Sequence, residues 1–279
     1  MPLKDILVIV DEAPACLRRV DAAAALAARH DAHLTGLYII TPLTLPSYID
    51  AQLPEEVRES HRLLCLEQAA RAKEMFEARM ADAGLTGRSE WRVGYGEPTD
   101  LAALHARYAD LVVVGQIDPA LDLDAPVVIP EDLVFDCGRP VLIVPYVGQF
   151  ACIGKRVMVA WNASREAARA VADATPILTR ARKVTILAVD PRWGRSGQGE
   201  QPGADVATHL AHHGVVAEAM HVAGSEIDVA STVLNHVTDL GCDLIVMGAY
   251  GQSRVKTLVL GSLTDAMLRH MTVPTLMCH

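Results

Sequence analysis

Residues 248–265 read Gly248-Ala-Tyr-Gly251-Gln252-Ser253-Arg254-Val-Lys-Thr-Leu-Val-Leu-Gly261-Ser262-Leu263-Thr264-Asp265. The spacing G-x2-G-x9-G-S suits a polyphosphate. Gly248 and Gly251 let the main chain approach a ligand with no Cβ in the way. Gly261 and Ser262 stand just before a helical pattern, where unpaired N–H groups and the positive end of the dipole face an anion. Ser262 and Thr264 add hydroxyl donors. The loop itself offers no carboxylate or histidine base. The chain also holds no G-x4-G-K-[ST] loop, no G-x-S-x-G elbow and no Ser/His/Asp arrangement, so no catalytic residue is assigned.

Such a loop binds only if it hangs from the carboxyl end of a parallel strand. An internal repeat supplies that setting. Asp110-Leu-Val-Val-Val-Gly115 matches Asp243-Leu-Ile-Val-Met-Gly248. Upstream, Gly96-Glu-Pro-Thr-Asp100 resembles Gly224-Ser-Glu-Ile-Asp228. Downstream, Arg139-Pro-Val-Leu-Ile-Val-Pro145 matches Val273-Pro-Thr-Leu-Met-Cys278. The opening runs Ile6–Asp11 and Val157–Asn162 also correspond. The offset is domain-sized, so this is a duplication and not a solenoid. Two domains are expected, 1–147 and 154–279, joined by the linker Val147–Gly154.

Unalternating Val/Ile runs imply strands buried on both faces. In the first half they fall near 5–11, 33–40, 88–94, 110–115 and 140–145. Helical patterns lie between them, near 14–30, 55–83, 98–108 and 131–137. The second half repeats the order with strands near 156–161, 183–189, 215–222, 243–247 and 273–278. Strand–helix–strand alternation predicts α/β units with right-handed parallel crossovers.

Composition narrows the function. The 279 residues are 51% hydrophobic and 21% charged, with a net charge of −9 and no dense basic run. That speaks against a nucleic-acid surface, which needs clustered Lys and Arg. No apolar run approaches the ~20 residues that span a bilayer. The six cysteines form no C-x-x-C pair. They read as reduced thiols of a cytoplasmic protein. Met1-Pro-Leu-Lys-Asp5 runs straight into a strand pattern without a signal peptide.

With its loop after the fourth strand of a duplicated unit, the chain resembles the universal stress protein family along essentially its whole length. The resemblance implies two open, twisted, five-stranded parallel sheets of order 3-2-1-4-5, Rossmann-like, with helices on both faces. It implies binding of ATP or another adenine nucleotide, with Mg2+ on the phosphates, and a stress-response role. It also implies dimer formation, and pairing of the two domains through their fifth strands. By the same resemblance, Met247 and Gly248 border the adenosine. Gly251, Gln252, Ser253, Arg254, Gly261, Ser262, Leu263 and Thr264 approach the phosphates. Ala188 and Val189 meet the adenine, and Ala160, Trp161 and Asn162 close the site. The family's acidic residue at the end of the first strand is here Asn162.

The first half departs from the pattern. After Gly115 it has no second glycine and no Gly-Ser, and Asp118, Asp122 and Asp124 would repel phosphates. Asp11 keeps the acidic position. This half reads as a non-binding partner or a site for something else, an apolar or metal ligand under an acidic 118–124 lid. A slow ATPase or autokinase, using Arg254 or Lys256 and Ser262 or Thr264, is the competing reading of the second half. Gly197-Gln-Gly199-Glu-Gln-Pro-Gly203 has the wrong spacing for a dinucleotide loop. His209, His212 and His213 read as a solvated helix face, without a third metal ligand. The 55–83 segment reads as an amphipathic layer helix. His30 and His33 flank a helix end, where an imidazolium suits the dipole.

Overall fold

A computed structural model describes residues 2–42, 54–120, 127–189, 203–222, 228–249 and 263–279. The first half runs β1 (Asp5–Val10), α1 (Cys16–His30), β2 (His33–Ile40), α2 (Glu55–Asp82), β3 (Ser89–Tyr95), α3 (Pro98–Ala106), β4 (Leu111–Gly115), α4 (Pro130–Asp136) and β5 (Val141–Val144). The second runs β6 (Arg156–Ala160), α5 (Arg165–Leu178), β7 (Lys183–Val189), α6 (Ala204–His212), β8 (Ala217–Val222), α7 (Val229–Asp239), β9 (Leu244–Gly248), α8 (Leu263–His270) and β10 (Thr275–Cys278).

The strands form one sheet in the order β3-β2-β1-β4-β5-β10-β9-β6-β7-β8. Each half is parallel and has the order 3-2-1-4-5. The two are joined where β5 and β10 pair antiparallel, so the expected pair of five-stranded sheets is continuous. The central strands are buried on both faces. Ile6, Val8 and Val10 face one apolar cluster and Leu7 and Ile9 the other. The first cluster lies under α1, α2, α5 and α6; the second lies under α3, α4, α7 and α8. Both clusters run through the two halves, which removes polar alternation from every central strand.

The repeated aspartates have a structural task. The Asp110 carboxylate accepts the backbone N–H groups of Lys4 and Asp5 at 2.8 and 3.1 Å. Asp243 accepts those of Gly154, Lys155 and Arg156. Each ties the start of the first strand of its half to the start of the fourth. The seam is close to twofold: Leu142 pairs with its counterpart Leu276. Beside it, Arg29 donates to Arg180 O and Arg180 to Arg29 O. Such an exchange of identical contacts is what a twofold interface produces.

His30 departs from expectation. It lies beneath this exchange, buried to 4% exposure, with no hydrogen-bond partner for Nε2. Burial, then Arg180 and Arg29, push its pKa down to about 4. It is a neutral packing residue and not an imidazolium cap. The helix end is closed instead by Asp31, whose φ of 54° lets its N–H reach back to Ala27 and Ala28.

Candidate functional site

The rim of the second half assembles from three neighbouring strands. Ala160, the last residue of β6, pairs with Met247 of β9 on one side and Leu187 of β7 on the other. Trp161 continues the ladder by donating to Leu187 O at 2.8 Å. Ala188 and Val189 end β7 one step further on, and Gly248 ends β9 opposite Cys278. The connection from β6 runs to β7, while β9 lies on its other side. The crevice between β6 and β9 is therefore the point where strand order reverses, the usual ligand position in open α/β sheets.

Side chains at this rim divide by face. Met247 is buried in the second cluster, with Ala160, Val189 and Leu263 partly exposed at its edge. Trp161 packs on the opposite cluster. Leu263 opens α8, and Thr264, in its first turn, is buried. Ala160, Trp161, Asn162, Ala188, Val189, Met247, Gly248, Leu263 and Thr264 thus lie at the carboxyl ends of the strands or the helix start above them. Gly251, Gln252, Ser253, Arg254, Gly261 and Ser262 lie outside the described residues.

Asn162 has a local job. Its Oδ1 accepts Ser164 N at 3.0 Å, closing a turn in which Ala163 takes a φ of 57°. Ser164 then caps α5 by accepting Ala167 N at 3.1 Å. The start of α5 presses on Gly248 so closely that a Cβ there would strike the backbone of Glu166 and Ala167. Gly248 is required by this helix packing, a reason the loop motif does not state. It also brings Glu166, buried to 3%, beside the crevice, a carboxylate that motif reading missed. Burial would raise its pKa, but hydrogen bonds from Arg165, the helix backbone and Ser164 together hold it below the usual range, so it is ionised at neutral pH.

The corresponding crevice of the first half, between β1 and β4, is filled from within. Asp11 makes the same turn, accepting Ala13 N at 3.0 Å through Oδ1. Its other oxygen pairs with Arg19 at 2.7 Å. Arg19 rises from the second turn of α1, is 4% exposed, and lays its guanidinium where a Cβ on Gly115 would be. Burial alone would lower the pKa of Arg19; Asp11 and Cys16 more than reverse that. The space left is about 50 Å3, lined by Ile9, Pro14, Val114 and Val128 among others. Ligand pockets are typically ~300–1,000 Å3, so among the described residues the Arg19 side chain takes up most of the room at this rim. Of the acidic lid, Asp118 is described and holds Ala120 N at 2.9 Å; Asp122 and Asp124 lie outside the described residues. No group of three His, Cys, Asp or Glu side chains able to hold a metal occurs among the described residues. His209, His212 and His213 are all exposed.

Gln116, which follows Gly115, reaches into the second half. Its amide donates to Leu268 O at 2.7 Å and Arg269 O at 3.2 Å, at the end of α8. Its Oε1 accepts Tyr146 N at 3.4 Å. The helix that opens above the second crevice is therefore held at its far end by the first half.

No helix among the described residues is long and apolar enough to cross a membrane. A search of curated protein sequences gave no match. Among solved structures, a universal stress protein from Archaeoglobus fulgidus DSM 4304 shares the fold with a TM-score of 0.76 and 16% identity, over 98% of this chain and 95% of that one. A functionally unknown protein from Pseudomonas aeruginosa PAO1 aligns with a TM-score of 0.56 and 15% identity, over 99% and 92%. A universal stress protein in complex with cAMP covers 53% of this chain, with a TM-score of 0.36 and 24% identity, too distant an overlap to carry its ligand across. The model of the universal stress protein family matches residues 2–121 and again 154–279. With two copies of that pattern in one polypeptide, the chain belongs to the universal stress protein family.

Proposed function

We propose that the second half binds one adenine nucleotide per chain, ATP with Mg2+, in the crevice between β6 and β9, and that this binding serves a cytoplasmic stress response. The observation that carries the reading is a substitution between the halves. Where α1 sends Arg19 into the first crevice, α5 has Ala170, a methyl group that cannot extend into it. The crevice left without that plug is the one that leads into G-x2-G-x9-G-S. The partly exposed Ala160, Val189 and Leu263 offer the base an apolar edge. The N-terminus of α8 and the glycine-flanked main chain offer N–H groups to the phosphates. Mg2+ takes phosphate oxygens and water, and needs no cage of protein carboxylates.

Calorimetric titration of the full chain with ATP and Mg2+ tests this. One site per chain is expected, weakened ~100-fold (about 2.8 kcal/mol) by Gly261→Val or Gly251→Val. Two sites, no site, or binding indifferent to both substitutions would overturn it.

A further inference from the structure

Helix α2 is longer than the sheet it covers. Its 28 residues rise ~42 Å at 1.5 Å each, whereas the eight residues of β2 span ~26 Å. The inward stripe of α2 is continuous along this length. Met80, Phe76, Ala72 and Ala69 are buried on the sheet, with Phe76 lying over Gly36, where a Cβ would meet its ring. The same stripe continues to Cys65, His61 and Arg58, which stand past the carboxyl edge of the sheet. There they border a cavity of about 400 Å3 floored by Ile40 and Tyr95, the last residues of β2 and β3. Among the described residues the second half shows no counterpart, its α6 having nine residues.

This cavity brings a nucleophile, a base and two cations together. The Sγ atom of Cys65 lies 3.8 Å from both ring nitrogens of His61, one helical turn away. Arg58 and Arg62 line the same wall, and no Asp or Glu does so among the described residues. Glu55 and Glu59 meet the two arginines from the exposed side of the helix, at 4.0 and 2.7 Å. Four of the other thiols, Cys16, Cys137, Cys242 and Cys278, are buried; Cys152 is half-buried like Cys65, but does not line this cavity.

The geometry points to Cys65 as a nucleophilic thiol that exchanges with small disulfides bearing carboxylates. His61 takes the thiol proton. The thiolate pair forms a bond to one sulfur of R–S–S–R, the old S–S bond breaks, and its electrons leave on R–S−, which takes the proton back from His61. The products are a Cys65 mixed disulfide and R–SH; the small disulfide is reduced and the protein thiol oxidised. Arg58 and Arg62 hold the carboxylates of R, and the cavity volume suits a molecule of that size. An exchanged Cys65 would fill the cavity with the R group, marking the first half with the redox state of the small-thiol pool.

The test uses the native full chain and two aromatic disulfides: dianionic 5,5′-dithiobis(2-nitrobenzoate) and neutral 2,2′-dithiodipyridine. Peptide mapping of wild type after one equivalent should place the label on Cys65 ahead of Cys152, and Cys65→Ser should lose the fast phase. Arg58→Gln with Arg62→Gln should slow the dianionic reagent about tenfold while leaving the neutral one unchanged. His61→Gln should slow both. First labelling at Cys152 or at a buried cysteine overturns the proposal, and the wild-type map decides this even if a variant folds poorly. Equal slowing of both reagents by the arginine changes removes the carboxylate preference.

Discussion

At the end of the first strand of its half, Asp11 and Asn162 perform the same turn, each holding the N–H two residues on. What separates them is the charge, and the charge is matched one helix turn later. Asp11 pairs with Arg19, whereas the position that corresponds to Arg19 in the second half is the buried Ala170. The two differences belong together, because an arginine at the plug position without the acid would be a buried cation lacking its partner. The missing acid of the second half thus leaves no buried cation unpaired at the equivalent position. It accompanies the absence of the plug, and the turn it helps to form is intact. A duplicated fold has kept its local geometry while one copy closed its crevice with its own side chain.

The sharpest way to break this comparison is to make the two turns alike. Asp11→Asn keeps the turn, as Asn162 demonstrates, but strands the buried Arg19 guanidinium without its carboxylate. Loss of a partner from a fully buried pair costs ~3–5 kcal/mol; Asp11 is 39% exposed, so chemical denaturation should show a fall at the low end of that range, about 3 kcal/mol. The mirror change, Asn162→Asp, adds a carboxylate near solvent and should cost under ~1 kcal/mol. Equal effects would mean that Arg19 is not held by Asp11.

His30 tests the seam in the same spirit, since its counterpart in the second half is Ala181. The folded pKa of His30 is about 4, against ~6.5 for an exposed histidine. The folded value is depressed, so the unfolded chain binds the proton first as pH falls. Stability is therefore intact above pH ~6.5 and drains away toward pH 4, by ~3 kcal/mol from this group. His30→Leu should remove that share of the acid sensitivity. Denaturation midpoints of wild type and variant should diverge as pH falls, and parallel curves would show that His30 takes up its proton equally readily in the folded and unfolded chain.

Transplanting the plug comes next. Asn162→Asp with Ala170→Arg rebuilds in the second half the pair seen in the first. Nucleotide affinity should fall by ~100-fold or more, about 2.8 kcal/mol, while the thermal midpoint stays near wild type because the new ions satisfy each other. Undiminished binding by the double variant would place the ligand elsewhere.

Much of this architecture was legible from the residues, because double-sided burial writes Val and Ile runs that few other settings produce. Ten strands and four first-half helices fall where those runs and their spacing put them, within two residues at most ends. The misses are instructive. Val215 reads as strand, yet its N–H turns back to Leu210 O behind Gly214 at a φ of 77°, finishing α6 instead. Pro274 looks like part of the last strand, but it has no N–H to give and serves only as an acceptor for Ile245. In the site, the chain positions at the rim follow from the repeat and the loop. Arg19 does not, because on a helix the spacing of a charged side chain says nothing of which crevice its tip enters. Glu166 stayed hidden for the same reason, and the overhang of α2 depends on a comparison of lengths that no local motif encodes.

The smallest expected effect concerns the two glycines that end the fourth strands. A Cβ on Gly115 would meet the tip of the Arg19 side chain, whereas a Cβ on Gly248 would meet the backbone of Glu166 and Ala167. A guanidinium can swing by small torsions, though it must carry its bond to Asp11 with it. A helix start cannot shift without moving the Ser164 cap and the Asn162 turn. Overpacking typically costs ~1–3 kcal/mol. Gly248→Ala should lie at the upper end of that range and Gly115→Ala at the lower, read as midpoints of unfolding. The order carries the argument: if Gly115→Ala is the more damaging, Arg19 is held more rigidly than the α5 backbone, and the first crevice is the stiffer of the two.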